Sequence, residues 1–200
     1  MNSLAYNYAT FGARMEITEF KYCANFCEEN IWHLCQNPEL EGFSKKVLFV
    51  SNSNRNCPFR YQKSINGDEV VWWNYHVILL ASSKHTNFIY DFDSILSVPL
   101  RGKEYLQKSF QRHENWKETD LPCFKVIESC DYLNSFISDR SHMMDGEGNW
   151  LSTPPNWAKI GKVGDLPLDS LLNFTVSSGQ KIYNLDEMMA KVEEISVGPN

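Results

Sequence analysis

Residues 70–93 read VVWWNYHVILLASSKHTNFIYDFD, and how they fold decides the architecture. Valine, isoleucine, tryptophan and tyrosine crowd Val70 to Ala81, and Phe88 to Phe92 repeats that chemistry after the polar link SSKHT. Branched and aromatic side chains suit a pleated, half-buried surface, so the pair predicts a β-hairpin. Alternation along a strand places Trp72, Asn74, His76 and Ile78 on one face of the first strand, and Ile89, Asp91 and Asp93 on one face of the second. A turn centred on Ser83 and Lys84 sets His76 across from Asp91 and Asn74 across from Asp93, with Cβ atoms ~4.5–5.5 Å apart. A slip of two residues brings Asp93 to His76 instead, and no Asn-Gly or Asp-Gly pair pins the register.

On either side of the hairpin the pattern alternates between helix and strand. FCEENIW at Phe26 to Trp32 opens a helix: Ile31, Leu34 and Cys35 recur at helical spacing, and Glu28 and Glu29 suit a first turn. Val47 to Val50 reads as a short strand, followed by the polar loop SNSNRN. Glu104 to Trp116 reads as an amphipathic helix and Phe124 to Ile127 as a strand, while Asp131 to Ile137 reads as a short helix capped by its aspartate. Ser138 to Trp157 is too rich in Gly, Pro, Asp and Ser for regular structure and predicts a long ordered loop. A helix around Leu168 to Phe174, a strand at Lys181 to Tyr183 and a last helix from Leu185 complete an α+β chain, a single compact domain whose central antiparallel sheet is flanked by helices.

Two hundred residues with 42% hydrophobic content suffice for one domain with a real core. The net charge of −6, without a basic run, argues against a nucleic-acid-binding surface. No apolar stretch has the length of a signal peptide or a membrane span, so the reading is intracellular, with neither membrane nor nucleic acid as partner. In that compartment Cys23, Cys27, Cys35, Cys57, Cys123 and Cys130 are expected to be reduced thiols. Their spacing contains no CxxC pair, and the chain has no HExxH, GxSxG or glycine-rich phosphate loop, which weighs against zinc, serine-hydrolase and nucleotide chemistry.

Among the six thiols Cys27 is singled out by its place at a helix start, where unpaired N–H groups and the helix dipole favour a thiolate. The two adjacent glutamates oppose that effect, so a reactive Cys27 needs a base. His76 sits in the apolar centre of a strand, where an imidazole without a partner is costly, and Asp91 supplies the carboxylate to orient it. Cys27, His76 and Asp91 thus form a coherent Cys-His-Asp set, with Asp93 as the alternative acid. The plain alternative is a small buried cysteine and a polar pair on a half-buried sheet.

Four blocks then carry a likeness: CEENIW at Cys27 to Trp32, WNYHVILL at Trp72 to Leu80 with Asn74 where an aspartate is usual, FIYDFD at Phe88 to Asp93, and SDRSHM with GNW and PP between Ser138 and Pro155. In their order and spacing the chain resembles the protein N-terminal glutamine amidohydrolases over roughly residues 22–190. The resemblance implies a papain- or transglutaminase-like active site with Cys27 as nucleophile, His76 as base and Asp91 as orienting acid. It also implies deamidation of an N-terminal glutamine side chain to glutamate and ammonia through a cysteine thioester, without metal or organic cofactor. The implied partners are proteins and peptides with a free N-terminal Gln, met in the cytoplasm or nucleus on a degradation route, with a monomer as the default state. Residues 1–20 match nothing and read as a divergent extension before a domain over 21–200.

Such a substrate carries an α-ammonium that a carboxylate or carbonyls must hold, and Asp139 in the SDRSHM block is the expected holder, with Asn74 and Glu28 behind it. A cysteine peptidase or transglutaminase-like acyl transferase would share the same three residues. A noncatalytic peptide-binding module would use the aromatic hairpin and the long loop as a docking surface.

Overall fold

The computed structural model describes residues 20–67, 69–161, 166–174 and 181–197. Except for Phe20, the extension expected over residues 1–20 lies outside them. Helix α1 (Cys27–Cys35) precedes strands β1 (Ser44–Ser51), β2 (Cys57–Arg60), β3 (Val70–Trp73), β4 (His76–Ser82), β5 (Asn87–Tyr90) and β6 (Leu100–Arg101). Then follow α2 (Gly102–Ser109), β7 (Cys123–Glu128), α3 (Ser129–Ser135), β8 (Phe136–Ile137), β9 (Leu166–Pro167), α4 (Leu168–Leu171), β10 (Ile182–Asn184) and α5 (Leu185–Val197). Six strands form one sheet in the order β10-β7-β1-β4-β5-β6, every neighbouring pair antiparallel. The antiparallel pair β2-β3 and the short parallel pair β8-β9 stand apart from it. The fold is the expected α+β domain with a central antiparallel sheet.

The two central strands carry the core on both faces. From β1, Val47 and Phe49 pack with Val77, Leu79 and Ala81 of β4 against Ile31, Leu34 and Cys35 of α1 and Tyr132 of α3. The alternate residues Leu48, Val50, Ile78 and Leu80 pack on the opposite side with Tyr105 and Leu106 of α2 and Met188 and Val192 of α5. Strands covered on both faces need apolar residues at every position, so VLFV and HVILLA are continuous runs rather than alternating ones.

Several sequence boundaries are corrected. Val70 to Ala81 is not one strand: the chain leaves β3 at Trp73 and enters β4 at His76, so Trp72 pairs with Pro58 of β2 while His76 pairs with Val50 of β1. β2 itself carried no separate signal, because its four residues follow a polar loop and include a proline. The hairpin register is two residues away from a turn centred on Ser83 and Lys84, since Ser82 pairs with Asn87 and Leu79 with Tyr90. A turn closed by Ser83 N–H donating to Thr86 O (2.8 Å) takes up the difference. α2 ends at Ser109 instead of Trp116, because beyond the buried Phe110 the chain offers Gln, Arg, His, Glu and Asn and no apolar stripe. α3 begins at Ser129 and has no side-chain cap, so Asp131 lies inside its first turn, and Phe136 and Ile137 form β8. α4 stops at Leu171, with Leu172 as its C-cap.

The stretch from Ser138 to Trp157 is the expected long loop, regular only over the 3₁₀ turn Ser141–Met143. Its anchor is a buried ion pair. The Glu29 carboxylate accepts from Arg140 Nε (2.7 Å) and Nη2 (2.8 Å), from Ser138 Oγ (2.8 Å) and from Trp157 Nε1 (2.6 Å). Arg140 also donates from Nη2 to Trp157 O at 2.9 Å, tying both ends of the loop to α1. Glu29 is 0% and Arg140 5% exposed, so neither charge has water to fall back on. Removing one partner of such a pair costs ~3–5 kcal/mol because the other is left charged and buried. Arg140→Ala is therefore expected to lower the urea midpoint by that much stability; a loss under ~1 kcal/mol, the value of an exposed pair, would show that the network does not hold the loop.

No helix among the described residues is long and apolar enough to cross a membrane.

Candidate active site

Cys27 is the first residue of α1, and the approach to it is fixed by Asn30, which shares its sequence block. The Asn30 amide accepts from Cys23 N–H (2.8 Å) and donates to Cys23 O (2.9 Å), clamping the turn in which Asn25 takes a left-handed backbone (φ 67°). Asparagine tolerates that conformation better than most residues, so the turn can reverse the chain just ahead of the helix. No side chain caps α1, which leaves the first N–H groups at Cys27 without a capping partner from Phe26.

The Cys27 sulfur is buried and lies 3.5 Å from Glu28 Oε2, to which the thiol donates. Burial, then the Glu28 charge, then Asp93 push the thiol well above its ordinary value, while the Val77 backbone N–H directed at the sulfur pulls the other way. The glutamates that oppose activation in the sequence are thus unequal: Glu29 is consumed by Arg140 and Glu28 faces the thiol. Glu28 Oε2 also accepts from Tyr75 O–H (3.2 Å), and its Oε1 lies 3.3 Å from His142 Nε2. That pairing raises the His142 imidazole against the effect of its own burial.

His76 opens β4, beside the residue whose N–H faces the Cys27 sulfur. Its Nε2 is 2.7 Å from Asp91 Oδ1, and both side chains are buried. Phe59 meets the ring edge-on and Trp73 stacks near it, with centroids 5.4 and 6.4 Å away. Burial lowers the His76 pKa, but the Asp91 charge and hydrogen bond outweigh it and the net shift is upward. Asp91 shifts downward, since His76, Gln62 and Tyr105 offset the penalty of burying the carboxylate.

The carboxylate lies just beyond the end of β5. Asp91 Oδ1 accepts from the Asp93 N–H (3.0 Å), a bond that bends the chain, and Oδ2 accepts from Gln62 Nε2 (3.0 Å) and Tyr105 O–H (2.8 Å). Extending the strand register would have put Asp93 opposite His76; the bend brings Asp91 there instead. A shift by two residues keeps every side chain on its face, so the pairing tolerates it. Gln62 and Tyr105 escape sequence reasoning, as nothing in a lone glutamine or a helical tyrosine points to a carboxylate elsewhere in the chain.

His76, Asp91 and Asp93 place one nitrogen and two oxygens within 4.8 Å of one another, a spacing a cation accepts. Both Asp91 oxygens already receive hydrogen bonds in the arrangement of an acid that orients an imidazole.

Cys27 and His76 line the same cavity of about 750 Å³, together with Tyr22, Trp72, Tyr75, Asp93 and Leu151, among others. That size suits a side chain or small ligand. Asn74 also lines it, while Glu28 lies just behind. Asp139 is placed differently: it is exposed, is not among the lining residues, and its carboxylate accepts from Ser141 N–H (2.9 Å) and Ser141 Oγ (2.7 Å) within its own turn. The structure therefore places Cys27 and His76 on one cavity, with Asp91 buried against His76, and leaves Asp139 outside it.

The family model for N-terminal glutamine amidase matches residues 22–193. A zebrafish (Danio rerio) protein N-terminal glutamine amidohydrolase is 42% identical over 139 residues, covering 67% of this chain and 69% of the relative. The human (Homo sapiens) protein of the same name is 37% identical over 179 residues, 83% of this chain and 84% of the relative. A rice (Oryza sativa subsp. indica) protein of that name is 31% identical over 185 residues, 87% and 80% of the two chains. With a match that spans most of its length, the chain belongs to the N-terminal glutamine amidase family.

Proposed function

We propose that this protein hydrolyses the side-chain amide of an N-terminal glutamine, with Cys27 as nucleophile, His76 as general base and acid, and Asp91 as the orienting carboxylate. Residues 21–200 would form the catalytic unit, acting as a monomer in the cytoplasm or nucleus on proteins and peptides with a free N-terminal Gln. Family membership supports the reaction. The observation that carries the residue roles is the buried 2.7 Å contact between His76 Nε2 and Asp91, which leaves the other ring nitrogen for the cavity that Cys27 lines.

In this reading Cys27 passes its proton to His76 and attacks the carboxamide carbon. The raised thiol pKa means that the nucleophile is made by proton transfer at the moment of attack and is not stored as a thiolate. The Cys27 backbone N–H at the helix start is a donor for the tetrahedral oxyanion. His76, held by Asp91, then protonates the departing ammonia. Water deprotonated by the same imidazole attacks the thioester, releasing glutamate and restoring the thiol. Every proton that leaves a nucleophile arrives on a leaving group, so no external oxidant or reductant enters.

The test is to incubate the purified protein with peptides that begin with Gln, begin with acetyl-Gln, or carry Gln internally, and to measure ammonia. Release from the first alone is expected. Turnover of the internal or acetylated peptide overturns the N-terminal requirement, and peptide cleavage without ammonia would point to the peptidase reading.

A further inference from the structure

We infer that Asp93 is the residue that holds the substrate's α-ammonium group, the cation that distinguishes an N-terminal glutamine from every other glutamine in a protein. The inference rests on the amidase reading and assigns the part of it that Asp139, engaged with Ser141, does not fill.

Asp93 lines the cavity beside Cys27 and His76 and is half-buried. One oxygen, Oδ1, accepts from Tyr22 O–H at 2.6 Å, which fixes the carboxylate against the wall. Among the described residues no hydrogen bond is made to its other oxygen. Lys63 also lines the cavity and its charge acts on Asp93, but its Nζ donates to Phe92 O at 2.6 Å and lies 5.0 Å from the centre of the Tyr22 ring, with no hydrogen bond to the Asp93 carboxylate among the described residues. Burial, with the neighbouring Asp91, raises the Asp93 pKa although His76, the Tyr22 hydrogen bond and Lys63 pull it down. Asp169 also lines the cavity, but it is exposed, where solvent screens its charge.

The dimensions agree with glutamine. Three carbon–carbon bonds link its Cα to the carboxamide carbon, so the ammonium lies roughly 4–5 Å from the reacting atom. One Asp93 carboxylate oxygen lies within 4.8 Å of a ring nitrogen of His76 and of an Asp91 oxygen, and Asp93 lines the cavity with Cys27, so an ammonium held by it would stay on the scale of one glutamine side chain from the reacting groups. An ammonium taken from water into a partly closed cavity is costly unless a charge meets it. An acetylated or internal Gln has no cation to offer, and its entry would leave the Asp93 carboxylate partly desolvated and unpaired. One carboxylate thus both draws the right chain end in and penalises the wrong one.

The experiment crosses Asp93→Asn with a change in the substrate. Ammonia release is measured for wild type and Asp93→Asn on a Gln-initiated peptide and on the same peptide with a 4-carbamoylbutanoyl group in place of Gln, which lacks only the α-amine. The expected result is a loss of kcat/KM on the order of 10- to 100-fold for the amine-bearing peptide, carried mainly by KM, as for one charge-assisted hydrogen bond. On the amine-free peptide the two proteins should agree within about threefold. Tyr22→Phe, which keeps the carboxylate but frees it from the wall, should give a smaller loss of the same amine-dependent kind and serves where Asp93→Asn folds poorly. Equal losses on both peptides would place Asp93 behind His76 as a positioning residue and overturn the inference. Failure of wild type to release ammonia from any peptide would instead overturn the amidase reading along with it.

Discussion

Cys27→Ser is expected to lower ammonia release from a Gln-initiated peptide by about 10⁴-fold or more, with no change in folding. A hydroxyl is a far weaker acid than a thiol, and this site already resists ionisation: burial and the Glu28 charge push the Cys27 thiol well above its ordinary value. In the proposed mechanism His76 takes a proton from sulfur during attack, and the same transfer from oxygen would be much more costly. The two side chains differ by a single atom, so the core around Ile31 and Leu34 should be undisturbed. Product is followed by ammonia and by the mass gain of about one dalton as OH replaces NH₂, and folding by the thermal midpoint. A variant that turned over near the wild-type rate would remove Cys27 from the mechanism.

Asp91→Asn is expected to reduce kcat by about 10⁴-fold with little effect on KM, the size of loss seen when an orienting aspartate becomes an amide and the imidazole takes the wrong tautomer. The amide introduced by that substitution can donate to the Nε2 position, so the base nitrogen facing the cavity would carry the proton it needs to accept. Gln62 and Tyr105 would meanwhile lose the anion they both donate to. The same variant reports on pH-dependent stability. His76 titrates above its ordinary value in the fold, so its share of the stabilisation is complete below about 6.5 and is lost as pH rises through the raised value. Asp91 titrates below its ordinary 3.8, so its share is present above that value and is lost as pH falls through the lowered one. The stability gap between wild type and variant is therefore expected to be widest between about pH 4 and 6.5 and to narrow on either side. A gap that stays flat from pH 3 to 9 on urea titration, flat to within about 0.5 kcal/mol, would mean that the two side chains are not an ion pair.

The hairpin shows what a pattern of residues can reveal. Strand alternation alone puts His76, Asp91 and Asp93 on facing sides, and because the period is two, that conclusion survives the two-residue error in the register. It could not say which aspartate meets the imidazole. That choice is made by the bend after Tyr90, closed by the Asp93 N–H on Asp91 Oδ1, and by Gln62 and Tyr105, which arrive from distant parts of the chain. The glutamates of CEEN illustrate the same limit. They are equivalent neighbours in the sequence, yet the helical turn between them sends Glu29 to Arg140 and Glu28 to Cys27, Tyr75 and His142. Asp139 is a third case: its short side chain finds Ser141 two residues on, a local bond that a loop aspartate makes more readily than a distant one.

By itself, then, the sequence determined the α+β class, the strand character of the hairpin, the helix that begins at Cys27 and the family to which its four blocks belong. These follow from short-range rules of period, propensity and motif order, which act between residues a few positions apart. Tertiary structure alone decided that the start of α1 meets the start of β4, that Asp91 and not Asp93 holds His76, and that Asp93 is left facing the cavity. Those outcomes depend on how a doubly covered sheet packs against its helices, where each contact is set by side chains from many parts of the chain at once.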